Sequence, residues 1–427
     1  MGLKIVHINE YYSYYGGAEG YLLAICKSLE EMGHKIIIIS SSEKEHTHVS
    51  GRREYFLSGS YGLRSSFRVK GSFKEILERE NPDIIHLHNT QYFISPWTLK
   101  YFLSIKPVVI TVHDVRLFCP SFRWKVIPSL DTLCDYPLGL NCFRNGCYPF
   151  LSETRSFLWN LHKFLLGVHN LKISRAINRI MVPSSYIAEQ LVINGFPRER
   201  IMVIPHFTEE VTNNETGTAT GGSESIILYV GKLAANKGIM QFIEALSLLK
   251  DKDWRAEIIG EGEMYGDAFA LADRLGVNTR INFTGNLTRK KLNDHYIRCH
   301  SVVIPSMVPE SFGLAGIEAM KFGKPIIAFD SGGIKEWLVN NENGFIVKRG
   351  DVKALANSIS MLLEDRCLAE KMGENGKERV KKHYRKDLHL KKLLAVYEEA
   401  IRGGLKAQNH TFVQNGYLNR IIERDKH

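Results

Sequence analysis

Residues 301 to 329 read SVVIPSMVPESFGLAGIEAMKFGKPIIAF. Two β-branched apolar runs, Ser301 to Pro305 and Pro325 to Phe329, flank a stretch whose apolar residues recur at helical spacing from Ser311 onward. Strands that read as continuous Val/Ile runs are buried on both faces, and strands joined through a helix run parallel. The stretch therefore predicts a parallel βαβ unit. The same alternation extends outward. Ile226 to Val230 (IILYV), Ala256 to Gly260 and Arg280 to Thr284 are further strand candidates, and Ile239 to Lys250 is a helix candidate.

The first half repeats the pattern. Lys4 to Asn9 and Lys35 to Ser40 (KIIIIS) read as strands, as do Asp83 to His88 (DIIHLH), Val108 to His113 and Arg179 to Val182. A helix over Ala18 to Met32 stops at Gly33, a normal C-terminal signal. Between the halves, residues 209 to 225 (EEVTNNETGTATGGSES) are polar without an apolar run and read as a linker. The expected fold class is α/β, with two Rossmann-like doubly wound domains facing across a cleft. The expected domains are 1–208, with an insertion at 115–150, and 226–386. The amphipathic segment of about 387–402 (DLHLKKLLAVYEEAIR) is expected to return to the first domain, and 403–427 to form a tail.

The chain has 427 residues, more than one hydrophobic core usually spans. Its 44% hydrophobic and 24% charged residues exclude wholesale disorder. A net charge of +10 suits phosphate-rich ligands, anionic membranes or nucleic acid without choosing among them. No run of 18 apolar residues occurs, and Leu3 to Asn9 reads as a strand rather than a leader. The expectation is a cytoplasmic protein that meets a membrane only peripherally, at its inner face.

Open α/β sheets bind ligands beyond the carboxyl ends of their strands, and four segments fall there. The first is PESFGLAGIEAM, 309 to 320, with Ser311 as the expected N-cap. The amides of Phe312, Gly313 and Leu314 would be open at the helix start and would attract a phosphate. Glu310 lies just outside the helix and Glu318 within it. Phe312 to Glu318 spans about 9 Å of helix, which suits an extended ligand with hydroxyls at both ends and phosphates between. A capping-side Glu and a solvated helix Glu are equally consistent with that spacing. The second segment, GKLAANKG at 231 to 238, follows a strand and offers Lys232 and Lys237 to a diphosphate. It lacks the Gly-Lys-Ser/Thr ending of a Walker A loop. The third ends at His113 in TVHD, beside His86 and His88 of HLHN. The fourth, Gly16-Gly17-Ala18-Glu19, lets a ligand approach the backbone closely at the start of a helix.

Together with VPSSYIAEQL at 182 to 191 and GKPIIAF at 323 to 329, these segments resemble glycosyltransferase family 4, of the GT-B fold, across roughly residues 3 to 400. PESFGLAGIEAM is similar to that family's Glu-x7-Glu motif. The resemblance implies a retaining, metal-independent hexosyltransferase serving cell-surface polysaccharide or glycoconjugate synthesis. It implies that Glu310 binds donor-sugar hydroxyls, Glu318 the ribose, and Lys232 and Lys237 the diphosphate. His113 would lie near the anomeric carbon, and a leaving-group phosphate oxygen would deprotonate the acceptor. The donor would be a nucleotide-sugar, a UDP-sugar ahead of a GDP-sugar. The acceptor would be a saccharide or a lipid-linked one, with no nucleic acid and no catalytic cofactor. The family often carries Arg where Lys232 stands, and Asn-Gly where Pro205 is followed by His206, to which no catalytic meaning is attached. A GT-B nucleotide-sugar epimerase and a phosphorylase are the alternatives.

Other signals read as structural. Asp251-Lys252-Asp253, the sole Asp-x-Asp, lies in a turn entering a strand, at the wrong end of the sheet. Gly260-Glu-Gly262-Glu reads as a turn, since two Glu would repel a pyrophosphate. The Arg155 to Arg179 helix mixes Lys and Arg with large apolars, which suits packing or a membrane-facing side. Four of seven cysteines, Cys119, Cys134, Cys142 and Cys147, fall in the insertion. Reduced thiols, a structural zinc and disulfides all fit. The x14, x7 and x4 intervals lack the close pairs usual at zinc. Phe118, Phe122, Trp124 and Tyr136 are expected to stack on an acceptor from that insertion.

Overall fold

The computed structural model describes residues 2–12, 17–41, 51–57, 63–90, 93–121, 123–128, 130–148, 157–209 and 225–403, the side chains of 63–69 and 157 excepted. Gly16, Phe122, Phe150, nearly all of the linker and the 404–427 tail fall outside these residues.

The first half is β1 (Lys4–Ile8), α1 (Gly17–Glu31), β2 (Lys35–Ser40), β3 (Arg53–Phe56), α2 (Leu63–Glu80), β4 (Ile84–Leu87), α3 (Pro96–Ile105) and β5 (Val108–Thr111). Then come the insertion's β6 (Val126–Ile127), β7 (Thr132–Leu133) and α4 (Asn141–Arg144). The half closes with α5 (Phe157–Ser174), β8 (Arg179–Val182), α6 (Ser185–Ile193) and β9 (Ile201–Val203). Seven parallel strands form one sheet in the order β3-β2-β1-β4-β5-β8-β9. The strand order reverses at β1 and β4, which is where a doubly wound sheet opens a crevice.

The second half is β10 (Ile226–Val230), α7 (Ile239–Ser247), β11 (Arg255–Ile259), α8 (Tyr265–Arg274), β12 (Ile281–Gly285), α9 (Arg289–Arg298) and β13 (Ser301–Ile304). It continues with α10 (Leu314–Met320), β14 (Ile326–Phe329), β15 (Gly344–Val347), α11 (Val352–Glu364) and α12 (Arg366–His383). Its six parallel strands run β12-β11-β10-β13-β14-β15. A last helix, α13, spans 386–403.

Each sheet is covered on both faces. Phe73, Phe102, Ile180 and Leu191 belong to one core of the first sheet. On the other face Leu390, Leu393, Val396 and Tyr397 of α13 pack among Ile5, Tyr21, Leu22, Ile25 and Ile84. The helix α13 therefore covers the first sheet. The turn Asp251-Lys252-Asp253 is a surface feature, with Lys252 bonded to Glu364 at 2.7 Å.

Candidate active site

The second half places its charged residues along the carboxyl ends of β10 and β13. After β10 the loop turns at Gly238 (φ 72°), where a Cβ would lie 1.8 Å from the Pro305 carbonyl oxygen, so only glycine lets the two strand ends approach. That approach brings Lys237 Nζ to 2.6 Å from Glu310 Oε1, and the Ser306 hydroxyl donates to the same oxygen. Burial pushes the Glu310 carboxyl up, but the Lys237 ammonium and the Ser306 hydroxyl outweigh it and hold it below the ordinary carboxylate range. Lys232 bonds Glu263 at 3.1 Å, with both side chains largely exposed. The Gly260–Gly262 loop is a packing device, since a Cβ on either residue would meet the backbone oxygen of Gly231 or Leu233 at 2.0 or 2.2 Å. Glu318 is anchored rather than solvated. Arg289 donates to it at 2.5 Å, and Tyr296 at 3.5 Å.

The helix of the PESFGLAGIEAM segment starts two residues later than expected. Its N-cap is Gly313 in the left-handed region (φ 83°) with no side-chain cap, so Ser311 is not the cap. Two contacts hold the preceding turn. The Trp337 indole N–H donates to the Phe312 carbonyl at 2.5 Å, and the Ser184 hydroxyl donates to the Ser311 carbonyl at 2.6 Å. The amides of Phe312, Gly313 and Leu314 have no hydrogen-bond acceptor among the described residues. Facing them is the start of α1, where a Cβ on Gly17 would lie 3.0 Å from Leu314 Cδ1.

In the first half the buried polar groups include six imidazoles, counting that of α13 packed on its sheet. His7 of β1, His86 of β4, and His88, His113 and His206 just beyond strand ends are all buried, as is His389 of α13. His113 Nε2 lies 3.1 Å from His88 Nδ1, and His88 Nε2 lies 3.0 Å from His7 Nδ1. His86 bonds Tyr397 Oη at 2.7 Å and Thr111 Oγ1 at 2.8 Å. His389 bonds the Pro205 carbonyl at 2.8 Å and the Tyr21 hydroxyl at 2.8 Å. Burial lowers all six pKa values, to about 3 for His7 and about 4 for His113 and His389. His7, His86 and His88 offer nitrogens within 4.8 Å of one another, yet His86 and His88 already use both nitrogens in bonds. They read as a hydrogen-bonded core rather than a metal site.

His206 joins the two halves. Its ring stacks on His113 at 5.6 Å and meets Phe312 edge to face at 5.4 Å. The sequence reading gave it no role, because a lone histidine after a short edge strand carries no pattern. Arg289 and Ser184 were likewise missed, as each depends on a partner far along the chain. Glu10 was missed for the same reason. Burial pushes its carboxyl up to about 7, with Arg116 pulling it down and Glu19 and Asp114 raising it further.

The insertion lies over this edge. Asp114 pairs with Arg116 at 2.7 Å, and Asp131 reaches Arg349 of the second half at 3.3 Å. Its aromatics are not all available for stacking. Phe118 is buried in the first core and Trp124 packs against it, while Tyr136 is exposed. The four cysteines are free thiols, and burial, then their mutual charges, raise the pKa of Cys147 to about 12. The charges that act on Cys147 are those of Cys142, Cys119 and Cys134, so the four thiols lie near one another, although no three of their sulfurs fall within 4.8 Å among the described residues.

Two Rossmann-like halves, with the start of α1 facing the start of α10, define the GT-B fold. Comparison with known families agrees. The Glycosyltransferase Family 4 model matches residues 15–210 and the Glycosyl transferases group 1 model matches residues 211–379, and the chain is a glycosyltransferase. It is similar to an uncharacterized glycosyltransferase of Methanocaldococcus jannaschii, 25% identical over 89% of this chain and 94% of that one. It is also similar to the N-acetyl-alpha-D-glucosaminyl L-malate synthase of Bacillus anthracis, 23% identical over 88% and 92%. Among solved structures, sucrose-phosphate synthase from Thermosynechococcus elongatus shares the fold with a TM-score of 0.72 at 19% identity, covering 94% of this chain and all of that one. Anabaena HepE, solved with UDP and glucose, gives 0.67 at 18% identity over 93% and 99%.

Proposed function

We propose that the chain transfers a sugar from a nucleotide-sugar to a saccharide or lipid-linked acceptor, with retention and without a metal ion. The observation that carries the reading is the meeting of the α1 and α10 starts beside the Lys237–Glu310 pair. The diphosphate sits on the amides of Phe312 to Leu314 and on Lys232 and Lys237. A lysine has three N–H donors, so Lys237 can hold Glu310 and a phosphate together. Glu310 accepts from sugar hydroxyls and Glu318 from the ribose. As the bond from the anomeric carbon to the diphosphate breaks, the acceptor oxygen bonds the same face and its proton passes to the departing phosphate oxygen. The protein supplies charge stabilisation of the leaving group rather than a base. HepE, which shares the fold, has been solved with UDP-glucose, so UDP-sugars come before GDP-sugars.

An apolar pocket between α3 and α5, lined by Leu87, Ile94, Leu99 and Leu166 with Arg116 and Lys163, favours a lipid-linked acceptor. Leu158, Trp159 and Leu165 are exposed on α5 and suit contact with the inner face of a membrane. A thermal-shift panel of UDP- and GDP-sugars identifies the donor. NMR of the released sugar during slow donor hydrolysis, with EDTA present, then tests the chemistry. Retained configuration at an undiminished rate is expected. An inverted product, or activity abolished by EDTA and restored by Mg²⁺ or Mn²⁺, would overturn the proposal.

A further inference from the structure

We propose that the insertion carries a structural zinc site made by the thiolates of Cys119, Cys134, Cys142 and Cys147. The site takes no part in sugar transfer, and its test does not depend on the reading of the cleft.

In sequence these cysteines lack the close pairs usual at zinc, but the fold supplies them. Lys125 brings the first pair together. Its backbone N–H donates to Cys119 Sγ at 3.4 Å, and its carbonyl accepts from the Cys134 N–H at 2.8 Å. Cys119 and Cys134 therefore flank one residue, beside the pairing of β6 with β7 through Val126 and Leu133. The second pair closes around α4. There the Cys147 N–H donates to the Cys142 carbonyl at 2.9 Å, across a turn that Gly146 makes in the left-handed region (φ 68°). Both pairs are pinned to one face of α5. A Cβ on Gly167 would lie 2.7 Å from Cγ of Pro120, which follows Cys119, and 3.8 Å from Cδ2 of Leu138, which lies between Cys134 and Cys142. Phe143 and Tyr148, which follow Cys142 and Cys147, set their rings 4.8 and 5.6 Å from that of Phe164, one turn before Gly167. The charges acting on Cys142 and Cys147 agree with this convergence.

Two further features favour a metal over four separate thiols. Trp124 and Lys125 are consecutive non-glycine residues in the left-handed region (φ 52° and 59°), a conformation that costs free energy at each. That turn aims the Lys125 amide at the Cys119 sulfur. A neutral thiol is a weak acceptor, whereas metal-bound thiolates are tuned by such bonds to sulfur. The Lys125 side chain is 2% exposed, and its ammonium bonds the Tyr136 carbonyl at 2.7 Å, with no carboxylate on it among the described residues. A buried cation needs an anion, and four thiolates around Zn²⁺ leave a net double negative charge. The insertion also needs a staple. Its β6 and β7 have two residues each and α4 has four, too few to bury a core, and the four cysteines form no disulfide. No three sulfurs fall within 4.8 Å among the described residues, and tetrahedral zinc holds sulfurs about 3.8 Å apart, so closing the set asks for a change of cysteine rotamer. One such step carries Sγ about 3 Å with the backbone in place. The ion thereby fixes the β6–β7 hairpin, whose Asp131 reaches Arg349 at 3.3 Å, and sets how the insertion meets the second half.

Elemental analysis of the full chain, purified without chelator, should give about one zinc per chain. Co²⁺ put in its place should show sulfur-to-cobalt charge-transfer and tetrahedral d–d absorption. Cys142→Ser combined with Cys147→Ser should lose both the zinc and those bands, and Cys367→Ser, outside the insertion, should keep them. Less than about half an equivalent of zinc, iron in its place, or zinc retained by the double variant would overturn the site. So would a Cys142–Cys147 disulfide found by mass spectrometry of the parent chain. If the double variant fails to fold, X-ray absorption of the parent chain decides. Four sulfurs at about 2.3 Å from zinc support the site, and nitrogen or oxygen ligands overturn it. These results leave the reaction chemistry untouched. Should EDTA strip the zinc, Mg²⁺ and Mn²⁺ would not refill four thiolates, so a catalytic metal stays distinguishable from this structural one.

Discussion

The two sheets bring opposite kinds of polar chemistry to the same cleft. Beneath the first lie six buried histidines: five bond one another, tyrosines, Thr111 or a backbone carbonyl, and His206 packs against the rings of Tyr21, His113 and Phe312. Along the second lie ion pairs, Lys237–Glu310, Lys232–Glu263 and Arg289–Glu318, whose cations are 34%, 65% and 53% exposed. The difference follows from the cost of burying charge. Imidazoles can be buried because they give up their proton, whereas an ammonium must stay near water or near a counter-ion. The first sheet is thereby a preformed surface that a ligand cannot easily rearrange. The second holds cations that can trade a carboxylate for a phosphate.

If that contrast is right, the largest effect comes from the pair that is most buried. Lys237→Ala should lower kcat/KM for donor hydrolysis by about a hundredfold or more, because it removes a leaving-group cation and strands the Glu310 carboxylate. Steady-state kinetics near those of the parent would break the comparison.

Acid should separate the halves. The folded pKa values of His7, His113 and His389 lie below the unfolded value of 6.5, so between these limits the unfolded chain binds more protons. Their stabilisation is complete above pH 6.5 and is lost as pH falls toward 4, about 3 kcal/mol each for His113 and His389. Glu10 acts in the opposite sense, since its raised pKa favours folding as pH falls from about 7. One carboxyl does not offset several histidines. Glu310, with its pKa depressed, stabilises the second half down to lower pH. Hydrogen exchange followed from pH 7 to 5 should show β1, β4 and α13 loosening before β10 and β13, and the reverse order would contradict the contrast.

Glu318→Ala should weaken nucleotide binding by about 1–3 kcal/mol, measured by calorimetry, since Arg289 keeps the remaining site in place. Shortening the 115–150 insertion should have the mildest effect on the donor side. Acceptor transfer should fall while donor hydrolysis survives, and equal loss of both would make the loop a support for the fold.

Most of the sheet architecture was legible, because buried parallel strands such as KIIIIS and IILYV carry an unbroken β-branched run. Three edge strands were missed. REYF and IMV are short and only partly covered, and GFIV, though mostly buried, is four residues opening on a glycine, so none carries a long β-branched run. The candidate site was legible where backbone and side chain lie close in sequence, as in Gly238 beside Lys237. It was illegible where function needs a long-range partner. Nothing local in TRKKLND marks Arg289 as the anchor of Glu318. The start of α10 was misplaced because the left-handed Gly313 ends a turn that Trp337 holds from a distance. The alternating HLH of β4 and TVH after β5 pointed to a ligand edge. Only the packed structure shows that His88 and His113 bond each other.

The central claim is that the nucleotide end of the donor is held by the second half. Hydrogen–deuterium exchange with saturating UDP and, separately, GDP tests it most directly. Whichever nucleotide binds should protect residues 231–238 and 309–320 and leave the histidine-bearing segments 84–88 and 386–397 unchanged. Protection confined to the first half, or none with either nucleotide, would contradict the account.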